Sequence, residues 1–265
     1  MRKMVFASGI ALLSFTSIAF TSVANEPVNN GDKEKKEKAF PALVTTKASA
    51  KSGALVYTDS LYNLFSLNAK GLDKDVFQKA IAGYHFLLNK GKISRPGILT
   101  IADYSQPSSA KRLYILDLNN GKVLHHTYVS HGKNSGSTMA KSFSNSEGSN
   151  MTSLGFMVTA ETYYGSKGYS MRLDGQEAGF NDNVRNRAVV MHAAEYVAGA
   201  RAKSGIMMGR SFGCPAVPPA ENREIIDQIK GGTLFYSHGD DMRYAQASRI
   251  INADFDWSAS LLASK

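Results

Sequence analysis

The chain has 265 residues, a formal net charge of +9, 43% hydrophobic residues and 20% charged residues. This is the composition of a globular protein, with enough residues for one sizeable core or a core plus a small appendage. The basic balance suits anionic surfaces such as a cell wall, or simply keeps the protein soluble. It does not indicate nucleic acid, because no basic stripe interleaved with aromatic residues is present.

Residues 1–24 predict a secretory signal peptide. Arg2 and Lys3 precede an apolar run that ends at Phe20, and Ser22-Val23-Ala24 has the small-x-small pattern of a cleavage site. Cleavage after Ala24 removes two positive charges, which leaves +9 minus 2, or +7, and no integral membrane anchor. The alternative is an uncleaved anchor, but the run is short and interrupted by Ser and Thr. We expect a periplasmic or wall-associated protein.

Two segments of different character follow. Residues 25–55 predict a disordered linker, because "NEPVNNGDKEKKEK" is polar and charged and has no core pattern. Residues 56–95 predict a helical segment that packs on the rest of the chain. In "GLDKDVFQKAIAGYHFLLNKG" the apolar residues recur at helical spacing, with Asp73 as the N-cap and Gly91 as the stop.

Residues 96–240 predict a mainly β domain of the α+β class. Strand patterns are "ILTIADYS", "RLYILDLNNGKVLHHTYVS" with a hairpin turn at Asn-Asn-Gly, "SLGFMVTAETYY", "GYSMRLDG", "RAVVMHAA" and "TLFYS". One helix, "PPAENREIIDQIKGG", follows the cysteine, with Pro219 in its first turn. Residues 241–265 predict an irregular or weakly helical tail.

The stretch "GRSFGCPAVPP" holds Cys214, the one cysteine of the chain. In an oxidising compartment it has no internal disulfide partner, so it is either buried and inert or kept for its reactivity. A glycine-tightened turn before a helix favours reactivity, because the N–H groups of Gly213 and Cys214 can face an oxyanion. We expect positive potential, helped by Arg210, to lower the pKa of the thiol.

A reactive thiol needs a base, and His192 is the candidate. It ends the apolar strand "AVVMH", and a strand end brings a side chain to the rim of a sheet. His131, in "SHGK", is the rival. The sequence has no His-x-x-x-His or Cys-x-x-Cys pair, so it predicts no metal site.

These residues resemble the catalytic signature of the L,D-transpeptidases, cysteine enzymes that remodel bacterial peptidoglycan. The chain is most similar to the YkuD-like branch with "GRSxGCPAVP". Supporting stretches run from about Tyr84 to Ser237: "IADYSQPSSAKRLYILDL", "FSNSEGSNMTSLGFMVT", "YYGSKGYSMRL" and "FNDNVRNRAVVMHAAEYV". The resemblance implies a β-sandwich or barrel with N-terminal helices.

The resemblance also implies roles for residues. Cys214 is the nucleophile, His192 its base, the Ala193 carbonyl orients the imidazole, and the Gly213 N–H helps to bind the oxyanion. The residues expected to contact substrate are Ser211, Arg210, Phe212, Ser153, Gly155 and Asn181. Phe212 and Ala216 stand where the commoner family form has His or Arg and Arg or Asn. Arg210, Arg172 or Asn181 are the candidates to replace those polar contacts.

The implied function is acyl transfer between peptidoglycan stem peptides through a Cys214 thioester, without a cofactor. The acceptor is a second stem peptide or a wall-anchored protein. Two alternatives remain open at this point. The same site serves an L,D-carboxypeptidase or a peptidoglycan amide hydrolase if water is the acceptor. Alternatively, the site is degenerate and the protein is a non-catalytic wall-binding protein.

Overall fold

The computed structural model describes residues 47–209 and 211–253. The predicted signal peptide, residues 25–46 of the predicted linker, the end of the predicted tail and Arg210 lie outside these residues.

Strands dominate the described part of the chain. They are β1 (Ile98–Asp103), β2 (Leu113–Asp117), β3 (Lys122–Thr127), β4 (Gly155–Gly165), β5 (Gly168–Gly175), β6 (Val190–Ala193), β7 (Ala216–Val217) and β8 (Leu234–His238). The helices are α1 (Lys47–Leu64), α2 (Lys74–Asn89), α3 (Gly199–Lys203), α4 (Pro219–Ile229) and α5 (Met242–Ala247), with a 3₁₀ turn at Asn68–Lys70. The expected mainly β fold, with N-terminal helices and a helix after the cysteine, is confirmed.

All eight of these strands belong to one sheet, in the order β3-β2-β1-β8-β4-β5-β6-β7. The pairs β1–β8 and β6–β7 are parallel and the others are antiparallel. The two outer ends of the sheet meet, because the N–H of Ser130, just after β3, donates to the Ala216 carbonyl of β7 at 2.9 Å. The Ser130 hydroxyl in turn accepts from the Ala216 N–H at 3.3 Å. The sheet is therefore a nearly closed barrel.

Helix α2 covers this sheet. Its N-cap is Asp73, whose carboxylate accepts from the Asp75 N–H at 2.7 Å, as the sequence predicts. Phe77 and Ile81 face the main core and are fully buried. Gly83 allows the helix to approach closely, since a Cβ there would lie 2.1 Å from the Phe156 ring. That ring is stacked on Tyr236 at 4.3 Å, so helix and sheet share one core.

Helix α1 begins at Lys47, so residues 47–55 of the predicted linker are helical and not disordered. Ala54, Thr58 and Leu61 are buried at positions that share one helix face. The Thr58 hydroxyl donates to the Ala54 carbonyl at 2.8 Å, which hides the hydroxyl within the helix. This face is built partly from small and polar residues. It therefore lacks the apolar periodicity that predicts an amphipathic helix from sequence.

The segments that carry the candidate site meet at one end of the barrel. Strands β6 and β7 run parallel, with His192 opposite Ala216 and Ala193 opposite Val217. The chain that precedes each of them, residues 187–189 and residues 211–215, therefore emerges at the same end. On the far side of β7, Gly132 forms a parallel bridge with Ser211, and the Lys133 N–H donates to the Ser211 carbonyl at 2.8 Å.

Candidate active site

Cys214 lies on a tight turn that leads into β7. The Ser211 hydroxyl accepts from the Gly213 N–H at 3.2 Å, which closes the turn. Gly213 has a φ of +119°, and a Cβ there would lie 2.7 Å from the Met151 carbonyl oxygen. Only glycine fits this conformation and this approach. The turn is thus shaped as expected, although its Gly213 N–H is directed to Ser211 and not to open space.

The thiol of Cys214 is half-buried and held by main-chain groups. Its Sγ accepts from the Val190 N–H at 3.4 Å and donates toward the Ala188 carbonyl at 3.8 Å. Burial raises the pKa of the Cys214 thiol, and the Val190 N–H and the positive charges of Arg187 and Lys167 oppose this rise. The expectation of a lowered pKa is therefore corrected: desolvation outweighs the positive potential.

His192 lies on β6, and its ring is held in one tautomer. Nδ1 is 2.7 Å from the Ala193 carbonyl oxygen, which can only accept, so Nδ1 carries the hydrogen and Nε2 has the free lone pair. Burial lowers the pKa of His192 and the Ala193 hydrogen bond opposes this. The imidazole is thus neutral at pH 7. His192 and Cys214 are on neighbouring segments, but no hydrogen bond joins these two described side chains.

Arg187 is a site residue that sequence reasoning missed. Its guanidinium reaches Gly213, where a Cβ would lie 3.2 Å from Nη2. It interacts electrostatically with Cys214. The signal was its position shortly before the strand that carries His192, within the stretch "FNDNVRNRAVVMH".

Three residues expected to line a substrate groove are buried instead. Ser153 donates to the Ser144 carbonyl at 2.9 Å and accepts from Arg187 at 2.5 Å. Gly155 is packed on Glu177, and Asn181 is fully buried. The Asn181 amide donates to the carbonyls of Leu154 at 2.8 Å and Phe156 at 3.1 Å and accepts from the Glu177 N–H. Asn181 and Gly155 therefore hold the start of β4, which differs from the expected contact with a peptide.

Phe212, in contrast to these buried residues, has 68% of its surface exposed. The Lys133 ammonium lies 4.5 Å from the centre of its ring, a cation–π contact across the rim of the site. Arg172, the other candidate for polar contacts, lies 4.8 Å from the Tyr163 ring and pairs with Glu161 at 3.3 Å. It is on β5, where it pairs with Val190 of β6.

Two tyrosines complete the surroundings of the thiol. The Tyr104 hydroxyl donates to the Ser130 carbonyl at 3.3 Å, and Tyr196 is hydrogen-bonded to the Ser130 side chain. Burial raises the pKa of both phenols, and both interact with the charge of Cys214. They remain neutral, so they add hydrogen-bonding groups to the site without adding charge.

His131, the rival candidate for the base, is instead held in the protein interior by hydrogen bonds. It is fully buried, and its Nδ1 accepts from the Arg112 guanidinium at 2.7 Å. Its Nε2 lies 3.3 Å from the Gly136 carbonyl, to which it donates. Burial and the charge of Arg112 lower the pKa of His131 to about 4. Both ring nitrogens are engaged, so His192 is the better candidate.

Two other kinds of feature are absent from residues 47–209 and 211–253. These residues contain no group of three or more His, Cys, Asp or Glu side chains that could hold a metal ion. None of the helices in the same ranges combines the length and apolar character needed to cross a membrane.

The family model of the L,D-transpeptidase catalytic domain (YkuD_2) matches residues 68–238. The match contains Cys214, His192 and Arg187. It begins before α2, so it takes in part of the helical segment that was predicted as separate from the domain at 96–240. A search of curated proteins found no match.

Similar solved structures are L,D-transpeptidases. The one from Mycobacterium smegmatis is 14% identical, with a TM-score of 0.35, and the match covers 54% of this chain and 59% of that one. L,D-transpeptidase 1 from Mycobacterium tuberculosis is 16% identical, with a TM-score of 0.31 and coverage of 54% and 62%. The protein from Xylanimonas cellulosilytica is 16% identical, with a TM-score of 0.31 and coverage of 70% and 92%. The chain thus spans about three fifths of the two mycobacterial structures.

Proposed function

Because this chain belongs to the family of L,D-transpeptidase catalytic domains, we propose that it is an exported cysteine acyltransferase acting on peptidoglycan stem peptides. The observation that carries the proposal is the pairing of β6 with β7. It brings the segment of Cys214 beside His192, whose ring the Ala193 carbonyl holds with Nε2 free. In this proposal Cys214 is the nucleophile and His192 is the general base.

The first step forms a thioester. Nε2 of His192 takes the thiol proton while Sγ attacks the carbonyl carbon at the L-centre of a tetrapeptide stem. The electron pair of the C=O bond moves to the oxygen, and in this proposal the main-chain N–H of Cys214 donates to it. The Gly213 N–H becomes a second donor if it leaves Ser211, to which it is bonded at 3.2 Å. Collapse expels the amine of the terminal D-alanine, which takes the proton from His192.

The second step resolves the thioester. An acceptor amine attacks the thioester carbonyl and loses a proton to His192, and the thiolate leaves and is reprotonated. A stem-peptide amine gives a crosslink, and an amine of a wall-anchored protein gives an attachment. Water in place of the amine gives L,D-carboxypeptidase or amide hydrolase activity from the same residues. Phe212 and Lys133 are the groups that we propose to contact the incoming peptide at the rim, whereas Ser211, expected to do so, is buried and bonded to the Gly213 N–H.

The proposal is tested by intact-mass spectrometry of the protein incubated with a carbapenem, a β-lactam that acylates an activated thiol. We expect one adduct per chain on the wild type and none on Cys214→Ala, because the acyl group is carried by Sγ. His192→Gln should form the adduct at least tenfold more slowly, as expected for loss of a general base, which contributes about 10²–10⁴-fold.

His126→Gln is the matched control for the histidine change. His126 is stacked on Tyr114 at 4.7 Å and its Nε2 is hydrogen-bonded to the Lys111 carbonyl at 2.8 Å, so it has its own partners and this variant should react as the wild type does. An adduct on Cys214→Ala, or no adduct on a folded wild type, would contradict the proposal. The second result would favour the non-catalytic wall-binding alternative. Analysis of the products that the protein forms from muropeptides then distinguishes transfer from hydrolysis.

A further inference from the structure

Arg187 is fixed in place by four hydrogen bonds to one loop. Nη1 donates to the Ser144 carbonyl at 2.8 Å and the Ser153 hydroxyl at 2.5 Å. Nη2 donates to the Ser149 hydroxyl at 3.1 Å and the Met151 carbonyl at 2.8 Å. The guanidinium is half-buried, and the Met151 carbonyl also packs against Gly213. Its charge is therefore held next to the turn that carries Cys214.

The acceptors of these hydrogen bonds are all neutral, so none of them compensates the positive charge. Within the described residues no carboxylate lies within 4.0 Å of Arg187, whereas nearby Arg185 pairs with both Glu161 and Asp174. Burial lowers the pKa of Arg187, and Cys214 is the charged group that raises it. An arginine nevertheless stays protonated in proteins. A half-buried cation without an anion favours the ionised form of any acid beside it.

We propose that the Arg187 guanidinium is the counter-ion of the Cys214 thiolate, in addition to holding the loop 144–153. Arg187 acts on the reaction only through Cys214 and is a positioning residue. This role adds to the proposed function, and its effect on turnover rests on that function. The stabilisation of the thiolate itself is a property of the folded protein and can be measured without a substrate.

The other groups around the thiol do not replace Arg187. Lys167 is exposed on the β4–β5 turn, where solvent and salt screen its charge. His192 is neutral, and Tyr104 and Tyr196 are neutral phenols. Arg187 is therefore the partly buried positive charge that faces Cys214 among the described residues.

The test is the pH profile of the alkylation of Cys214 by iodoacetamide, followed by intact mass, in the full mature chain. Arg187→Met removes both the charge and the hydrogen bonds, Arg187→Gln keeps some hydrogen bonding without the charge, and Arg187→Lys keeps the charge with fewer hydrogen bonds. We expect the midpoint to rise by about one pH unit in the two neutral variants. We expect Arg187→Lys to stay closer to the wild type. Arg185→Met is the matched control, with the same charge change at an exposed ion pair, and should leave the midpoint unchanged.

Thermal unfolding of each variant separates the electrostatic role from the structural one. All three Arg187 variants lose bonds to the loop 144–153, so their melting temperatures should fall together, while only the neutral ones shift the midpoint. An equal shift in Arg187→Lys and Arg187→Met, or no shift in either neutral variant, would overturn the counter-ion role. If Arg187→Met does not fold, Arg187→Gln provides the same comparison. Alkylation reports on the thiol alone, so this outcome is independent of whether the carbapenem adduct forms.

Discussion

At the scale of single residues, the pKa shifts of Cys214 and His192 point to a pair that is uncharged at rest. Burial raises the pKa of the thiol and lowers the pKa of the imidazole, so neither an ion pair nor a free thiolate is the dominant state near pH 7. In the proposed mechanism, proton transfer then accompanies the attack on the substrate instead of preceding it. Ala188 contributes to this arrangement, because its backbone has a φ of +52° and its carbonyl faces Sγ. A non-glycine residue in this region is strained, as is common at functional sites.

The exposed ring of Phe212 is the clearest candidate for a specificity residue. Phe212→Ala removes the ring on which Lys133 stacks, so we expect KM for a tetrapeptide stem to rise about fivefold, in keeping with about 1 kcal/mol of lost contact. The turnover number should change by less than about twofold, since the ring is not part of the reacting group. Steady-state kinetics with a soluble muropeptide measures both constants.

Tyr164→Ala is the control for that experiment. Tyr164 is exposed to a similar extent, 71% against 68%, but its hydroxyl bonds to Arg223 of α4. Its removal should leave KM unchanged. A fall in turnover with constant KM in Phe212→Ala would instead show that the ring supports the turn of Cys214.

At the scale of elements, the close packing of α2 on the barrel depends on the missing side chain of Gly83. In a helix interior alanine is favoured over glycine by about 1 kcal/mol, so propensity alone predicts that Gly83→Ala is stabilising. The Phe156 ring would lie 2.1 Å from the new Cβ, and this ring is itself stacked on Tyr236. We expect the cost of overpacking to exceed the gain in helix propensity, so the free energy of unfolding should fall by about 1–3 kcal/mol.

Urea unfolding of Gly83→Ala measures this loss, and Gly199→Ala is the matched substitution. A Cβ at Gly199 would meet only ordinary contacts, the nearest being the Tyr128 ring at 3.6 Å. Its free energy of unfolding should stay within about 0.5 kcal/mol of the wild type. A stabilised Gly83→Ala would mean that α2 moves away from the sheet without cost.

At the scale of the whole molecule, a buried pair of basic side chains links distant parts of the barrel. Arg112, just before β2, is fully buried and donates to the carbonyls of Gln106 at 2.8 Å and Val129 at 3.1 Å as well as to His131. The Arg112 guanidinium lies 4.9 Å from the Tyr104 ring. His131 is accommodated beside this cation only while its ring is neutral.

This neutral histidine makes stability depend on pH. The pKa of His131 is about 4 in the folded protein, below the usual value of 6.5. Between these values the unfolded chain binds a proton that the folded chain does not. The stabilisation is therefore complete above about pH 6.5 and is lost as the pH falls toward 4. The loss amounts to about 3 kcal/mol.

His131→Gln tests this dependence, because an amide can accept from Arg112 and donate to the Gly136 carbonyl without titrating. Urea unfolding at pH 7 and at pH 4.5 gives the change in free energy for each protein. We expect the drop between the two pH values to be smaller in the variant by about 2–3 kcal/mol. Parallel losses in wild type and variant would show that His131 does not contribute, whatever the absolute stability of the variant.

Local features of the sequence were sufficient for much of the fold. The N-cap at Asp73, the Asn-Asn-Gly turn of the β2–β3 hairpin and the helix that begins at Pro219 depend on residues within a few positions of one another. The same holds for the glycine-tightened turn of Cys214. The order of these motifs carried the family resemblance, and the match to the family model over residues 68–238 confirms the family.

What the tertiary structure decided is the environment of each group. The sequence named Arg210, which lies outside the described residues, as a cation near the thiol. The structure adds Arg187, which is held beside the turn of Cys214 through a loop far from Cys214 in the chain. It also buried Asn181 and raised the pKa of the thiol that the turn alone was expected to lower. The desolvation of a group and the charge around it depend on which segments pack together. Closure of the barrel through Ser130 and Ala216 brings these segments into contact. The periodicity and spacing of residues in the sequence do not predict these contacts.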